Sequence, residues 1–425
     1  MNQESPNEDT SEAIDFIPVE GEMEHSPPDV YAGNLIEWAV ERHASDLFFS
    51  DAENSMIVSV RRMGRIEQVA RLARSYGRRL QGYLRVVGGS DAGDLLRPTE
   101  GRAAIKTPRG REVDLRLSTI PTLFGMDLAV RLFDRQVSVR RVQQLGMDAQ
   151  EESTLLEMLD AAAGLILVAG PVASGKSSTL YASLRHLHNG AKKIHSIEDP
   201  VEYAIDGVMQ SQVNLKQDLD FSDLLSTVMR HSPDVIMIGE IRDPKTATAA
   251  VRAGTSGQLV LATIHAKTAV DAIERMWHYG VSPPFLAAAL NGVVCQRLVR
   301  RLCQDCRKEV EVSEPLSVSA AVAKRLGDQT PKLYTSQGCP ACFNDGFVGL
   351  TCLSEILKVD DDLGNVIEQQ KPPSTILNAA HESGMVSLAD AAVLRIYRGE
   401  MTADDGSSAM TSPLLGQLAR LARQG

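Results

Sequence analysis

The chain has 425 residues, 43% apolar, 23% charged and 4% aromatic, with a net charge of -11, which suits two or three ordinary globular domains. No run of 18 apolar residues and no basic-then-apolar leader occurs, so neither a membrane-spanning helix nor a signal peptide is expected, and the reading is cytoplasmic. Six cysteines in a long chain of that compartment argue against a disulfide framework and leave metal ligands or inert thiols.

Charge is unevenly placed. Residues 1–30 hold nine acids and no Lys or Arg, leaving 46 acids against 44 bases in the remainder. Residues 1–29, with Pro6, Pro18, Pro27 and Pro28, read as a disordered acidic tail. Residues 30–136 read as a small α+β domain. Leu35, Ile36, Ala39 and Val40 lie at helical spacing, and strand-like alternation follows at Met56–Val60 and Val113–Leu117. Between Arg61 and Arg141 stand 17 Arg and one Lys against eight acids, an excess that calls for an anionic partner or a solvated surface. Residues 137–150 read as a polar linker.

From residue 151 to 302 the pattern is α/β. Short apolar strands at Leu165–Ala169, Ile194–Glu198, Asp234–Ile238 and Leu259–Ile264 alternate with helical segments such as Phe221, Leu224, Leu225 and Val228. Near-continuous apolar strands separated by helices predict a parallel sheet covered on both faces. Residues 303–352 form a loop-rich insertion, 353–410 read as helical, and Pro413–Gln424 as a short helix inside a tail of 411–425.

Chemistry is concentrated between Gly170 and His265. Gly170-Pro171-Val172-Ala173-Ser174-Gly175-Lys176-Ser177, followed by Ser178, fills the phosphate-loop pattern and lies between a strand and a helix. Backbone N–H groups of such a loop close on phosphate oxygens, and the helix N-terminus adds a favourable dipole. Lys176 is expected to reach the β- and γ-phosphates of ATP, and the Ser177 hydroxyl to ligate Mg²⁺. Glu240, at the end of a second buried strand, is the candidate for the Mg²⁺ shell. Its bland alternative is an ordinary strand-end carboxylate. Ser196–Glu202 ends a third strand with three further carboxylates, of which Glu198 is the choice to orient the attacking water; a solvated acidic turn is the alternative. His265, also at a strand end, is a candidate γ-phosphate contact or a structural histidine.

Gly170–Ser177, Ile197–Glu202, Pro233–Asp243 and Gly257–His265 together resemble the Walker A, Asp, Walker B and His boxes of the type II secretion and type IV pilus assembly ATPases. The similarity runs from about Val30 to Gly399, including Ala44–Asp46, Gly101-Arg102, Arg116–Thr122 and Leu290–Cys303. It implies a RecA-like P-loop NTPase domain preceded by a small α+β, PAS-like domain, in a homohexamer. It also implies that Arg116 and Arg131 act as arginine fingers; two surface arginines are the alternative. The partners implied are an inner-membrane platform protein and the secretion or pilus machinery, at the inner face of the cytoplasmic membrane. Several positions depart from the pattern. Ala173 replaces a usual glycine, Gln258 the first His of the His box, and His231-Ser232 a Gln-Asp pair. Phe48 and Met126 replace a His and an acid in the N-terminal domain. Only about 30 residues precede that domain, so the extra docking module of many secretion relatives is expected to be absent.

Cys303-x-x-Cys306 and Cys339-x-x-Cys342 are two knuckles 32 residues apart, a spacing that can wrap one structural Zn²⁺. Redox thiols or a metal-free loop are the alternatives. Within the family, such a pair resembles assembly motors more than retraction motors. The leading expectation is an ATPase driving pilus or pseudopilus assembly. A competence-type DNA-uptake or retraction motor, and a weakly hydrolysing scaffold, stand as alternatives. Nucleic acid is not an expected partner, because no aromatic platform accompanies the arginines.

Overall fold

The computed structural model describes residues 26–91, 93, 96–134, 140–312 and 319–424. The expected disorder of residues 1–25 therefore lies outside the described residues. The chain divides into two compact units, residues 1–138 and 139–425.

The first unit runs α1 (Pro28–Glu41), β1 (Ala44–Asp51), β2 (Ser55–Arg62), β3 (Arg65–Ala73), α2 (Arg74–Val87), β4 (Thr99–Lys106), β5 (Glu112–Thr122) and β6 (Gly125–Asp134). Helix α1 starts two residues inside the expected tail, because Pro28 sits in its first turn, where a missing N–H costs nothing. All strand pairings are antiparallel, in the order β3-β2-β1-β6-β5-β4. Alternation assigns the faces. Met56, Val58, Val60, Val113, Leu115, Leu128 and Val130 are buried with Leu35, Ile36, Leu80 and Leu84 of the helices, while the intervening residues form the opposite face.

The second unit is built on a seven-stranded mixed sheet. Its elements begin with α3 (Ala149–Leu159), β7 (Gly164–Ala169), α4 (Lys176–Leu187), β8 (Ile194–Glu198), β9 (Val208–Gln212), α5 (Phe221–Val228) and β10 (Val235–Ile238). They continue with α6 (Pro244–Thr255), β11 (Leu259–Ile264), α7 (Ala269–His278), α8 (Pro283–Ala289) and β12 (Leu290–Leu302). The sheet order is β15-β12-β7-β11-β10-β8-β9, where β15 is Phe347–Lys358. The strands from β12 to β9 in that order are parallel, and β15 runs antiparallel to β12. Every residue of β7, β10 and β11 is buried. Successive residues serve opposite cores: Leu165, Leu167, Ile236 and Val260 pack towards α5–α8, whereas Ile166, Val168, Val235 and Leu259 pack towards α3 and α4. This is the RecA-like arrangement, with the functional loops at the C-terminal ends of the parallel strands.

Two expectations are corrected here. Residues 140–148, expected as linker, include a 3₁₀ turn at Val142–Gln144 and bury Val142, Leu145 and Met147 in the α3–α4 core. The polar side chains that suggested a linker point outward around those three anchors. Residues 353–358, expected as the start of a helical region, belong to β15, whose Leu353 and Leu357 face one core and Cys352 and Ile356 the other. That two-sided burial makes a run of apolar residues ambiguous between strand and helix when only the sequence is read.

The cysteine region contains a hairpin of β13 (Lys308–Val310) and β14 (Leu333–Thr335), with α9 (Ala320–Leu326) between them. Helices α10 (Asp361–Glu368), α11 (Pro373–Glu382), α12 (Leu388–Tyr397), α13 (Ala403–Ala409) and α14 (Pro413–Gln424) close the unit. Leu415 and Leu418 of α14 are buried in the main core, so this amphipathic helix spends its apolar face on its own unit. Among the described residues no helix is long and apolar enough to cross a membrane.

Candidate functional site

The phosphate loop joins β7 to α4, and its backbone shape explains its residues. Gly170 and Gly175 have φ of 150° and 88°. A Cβ at Gly170 would also fall 2.6 Å from the Gln296 carbonyl oxygen, so side chains are excluded there twice over. Ala173 has φ of 60°, which accounts for the usual glycine at that position; an alanine there costs about 1–2 kcal/mol.

Lys176 opens α4, and its Nζ donates to the carbonyls of Gly170 (2.9 Å) and Pro171 (2.8 Å). Burial lowers its pKa below the usual lysine range, against the pull of the Glu240 charge. Glu240 follows β10. Its carboxylate lies 2.8 Å from Nε2 of His265 and accepts from Nε of Arg242 at 2.6 Å. His265 follows β11, and its Nδ1 is 3.3 Å from the Gly170 carbonyl oxygen. The structure therefore gathers Lys176, Glu240 and His265 around one loop, as parallel strands deliver residues to a common edge. Arg242 also reaches Asp199 at 3.3 Å and links the turns after β8 and β10.

Glu198 is placed differently from the expectation. It is 4% exposed, and both carboxylate oxygens are engaged. One accepts from the Tyr181 hydroxyl; the other accepts from Ser196 Oγ at 2.5 Å and Gln210 Nε2 at 3.0 Å. The carboxylate of Glu240 is also held by two partners, so what sets Glu198 apart is burial: it is closed in by Tyr181, Ser196 and Gln210, with no open side for an attacking water. Glu198 is a buried anchor between β8, β9 and α4. Glu202, four residues on, instead accepts from Ser177 Oγ at 3.2 Å, placing a carboxylate beside the expected Mg²⁺ ligand. The sequence signal for Glu202 was the cluster of carboxylates after β8; what separates the two glutamates is burial.

Gln296 had no chemical signal of its own. It is 1% exposed on β12, donates to the Ser174 carbonyl at 2.8 Å and accepts from Thr179 Oγ1 at 2.9 Å. One amide thus clamps the loop to the first turns of α4. An open cleft of about 700 Å³ borders the loop, lined in part by Gly170, Pro171, His265, Lys267 and Arg297.

In the first unit, Arg116 and Arg131 stand directly opposite each other on β5 and β6. The same register continues to Arg102 on β4, Asp46 on β1 and Arg61 on β2, a row of four arginines and one acid on the face away from the helices. Asp46 holds Arg131 at 3.1 Å and Arg61 at 3.6 Å, and the Arg116 guanidinium lies 4.6 Å from the Phe133 ring centroid. Adjacent like charges repel, and Asp46 offsets that repulsion at the β1 end of the row.

The four cysteines converge. The sulfurs of Cys303, Cys306, Cys339 and Cys342 lie within 4.8 Å of one another, with separations of 3.9, 3.8 and 3.7 Å for 303–339, 306–342 and 339–342. Tetrahedral Zn²⁺ with Zn–S bonds of about 2.3 Å requires S–S edges of roughly 3.8 Å, so the residues fit that ion. Burial alone would push the Cys342 thiol up. The N–H groups of Cys339 and Gly346 and the neighbouring thiols outweigh it and bring the pKa down to about 7, towards the thiolate that binds metal.

A family model for the type II/IV secretion system proteins matches residues 22–409. Type II secretion system protein E of Pseudomonas aeruginosa is 34% identical over 388 residues, covering 90% of this chain and 76% of that protein. Type II secretion system ATPase E of Vibrio cholerae is 36% identical over 336 residues, covering 78% and 65%. The type IV pilus assembly ATPase PilB of Thermus thermophilus is 32% identical over 394 residues, covering 93% of this chain and 44% of that longer protein. Among solved structures, the Legionella pneumophila ATPase DotB has a TM-score of 0.68 at 17% identity, covering 89% of this chain and 95% of that one. The pilus retraction motor PilT with bound ADP has a TM-score of 0.58 at 22% identity, covering 91% and 98%. The structural likeness establishes the fold.

Proposed function

The chain belongs to the type II/IV secretion system protein family, and on that premise we propose that it is a ring-forming motor that hydrolyses Mg-ATP to power assembly of a pilus or pseudopilus. The observation that carries the chemistry is the convergence of Lys176, Ser177, Glu202, Glu240 and His265 on one phosphate loop.

Lys176 exchanges the Gly170 and Pro171 carbonyls for β- and γ-phosphate oxygens. The Ser177 hydroxyl, with Glu202 and Glu240 nearby, would hold Mg²⁺, which would supply counter-charge to the phosphates. Glu240 is the carboxylate that orients water for attack on the γ-phosphorus, breaking the bond to the β–γ bridging oxygen and leaving ADP and phosphate. His265 holds Glu240 and senses the γ-phosphate. Glu198 fixes the end of β8 and does not touch the reacting atoms.

Arg116 and Arg131 supply transition-state charge, and the Asp46 contact orients Arg131 for that role. The tetracysteine site holds Zn²⁺ as a structural clamp on the β13–β14 hairpin. Similarity to secretion protein E and pilus assembly PilB relatives supports a membrane platform protein as the partner, at the inner face of the cytoplasmic membrane. The test is purified protein with Mg-ATP, followed for phosphate release and for assembly mass. An assembly of six that releases phosphate is expected. A chain that stays monomeric with and without nucleotide would refute the ring.

A further inference from the structure

Arg297 stands next to the Gln296 clamp and takes no part in the chemistry above. Strand β12 pairs with β7 so that Cys295 lies opposite Ala169, which carries Arg297 past the strand end to the level of the phosphate loop. One arm of the guanidinium is committed: Nη2 donates to the Lys267 carbonyl at 3.1 Å. Cys295 Sγ holds the same carbonyl at 3.3 Å. The segment so fixed joins His265 to α7, whose first turn is capped by Thr268. The other arm is not committed: Nη1 is shielded from solvent and has no hydrogen-bond partner. A charged donor stripped of water without an acceptor is costly, and an anionic oxygen satisfies it best. The guanidinium borders the cleft shared by Gly170, Pro171 and His265, and its charge helps lower the Lys176 pKa, so it shares that lysine's electrostatic neighbourhood.

We propose that Arg297 contacts the terminal phosphate of the bound nucleoside triphosphate from within the subunit and passes the difference between tri- and diphosphate to the segment linking His265 with α7. This rests on the nucleotide site proposed above and adds to it a residue that reads phosphate number. The planar fork suits it: one arm is tied to the Lys267 carbonyl of that segment, and the other would take an oxygen that hydrolysis removes.

The test measures equilibrium affinity of the full-length protein for Mg-AMPPNP and for Mg-ADP, by calorimetry, in the wild type, Arg297→Gln and Arg297→Lys. Loss of one charge-assisted contact predicts about a ten- to hundredfold weaker AMPPNP affinity in Arg297→Gln, with ADP affinity within about twofold. Arg297→Lys keeps the charge but loses the fork, and should fall between. Equal losses for both nucleotides mean a structural role and overturn the proposal, as does no loss for either. If Arg297→Gln does not fold, Arg297→Lys decides by the same comparison. A wild type that binds neither nucleotide would instead overturn the site itself, and this proposal with it.

Discussion

Replacing Gln296 by Leu tests how the phosphate loop is held. The substitution is near-isosteric and removes two buried hydrogen bonds, to the Ser174 carbonyl and from the Thr179 hydroxyl, at residues 2% and 1% exposed. Each group left unpaired costs about 1–3 kcal/mol. The Thr179 hydroxyl can rotate towards its own helix, so the expected total is roughly 2–4 kcal/mol. In a unit spanning residues 139–425 that corresponds to about 3–7 °C in Tm. If the loop relaxes instead, the cost appears as weaker nucleotide binding. Differential scanning calorimetry with and without Mg-ADP separates the two, because bound nucleotide stabilises only a competent loop. Gln296→Glu is a sharper companion: it can still accept from Thr179 but turns an acceptor on the Ser174 carbonyl, and should rescue little. Gln296→Leu with Tm within about 1 °C of wild type and unchanged nucleotide affinity would refute the clamp.

The Arg116→Ala variant is expected to lose turnover by about 10³-fold or more while ATP affinity stays near wild type; unchanged kcat would remove its finger role. Metal analysis of protein purified without chelator is expected to find one zinc per chain, and stripping it should lower Tm; absence of zinc would disprove the site. Asp148 makes the pH prediction. Burial alone would raise its pKa, but the Arg398 hydrogen bond, the Gln150 N–H and the Arg325 charge hold it below the usual carboxylate range. A depressed carboxyl contributes stability above its unfolded pKa of about 3.9 and loses it as pH falls through the folded value. Asp148→Asn should therefore be less stable than wild type at pH 7, with the gap closing below about pH 4; a gap independent of pH would contradict this.

The sequence revealed the parallel core well, because β7, β10 and β11 are apolar along their whole length and the phosphate loop marks the first of them. It was less informative where burial is shared between two faces. Residues 353–358 read as helix but form strand, because a short apolar run buried on both faces lacks a period that tells the two apart, and the anchors Val142, Leu145 and Met147 are too sparse to betray a packed segment among polar neighbours. At the site, Lys176, Ser177, Glu240 and His265 were legible because each sits at a fixed offset from a strand end. Glu198 and Glu202 were not separable in that way. Which of them faces the loop depends on Tyr181, Ser196 and Gln210, contributed by three different elements. Gln296 and Arg297 carry no local pattern, since their partners lie more than 100 residues away for Gln296 and 30 for Arg297.

The central claim, Mg-ATP hydrolysis at the Lys176 loop with Glu240 as the water-orienting carboxylate, is tested most directly by steady-state phosphate release set beside ATP affinity. Wild type should release phosphate only with Mg²⁺. Lys176→Ala should lose binding and release together, and Glu240→Gln should keep binding while release falls by at least about 10²-fold. Glu240→Gln turning over at the wild-type rate would contradict the account.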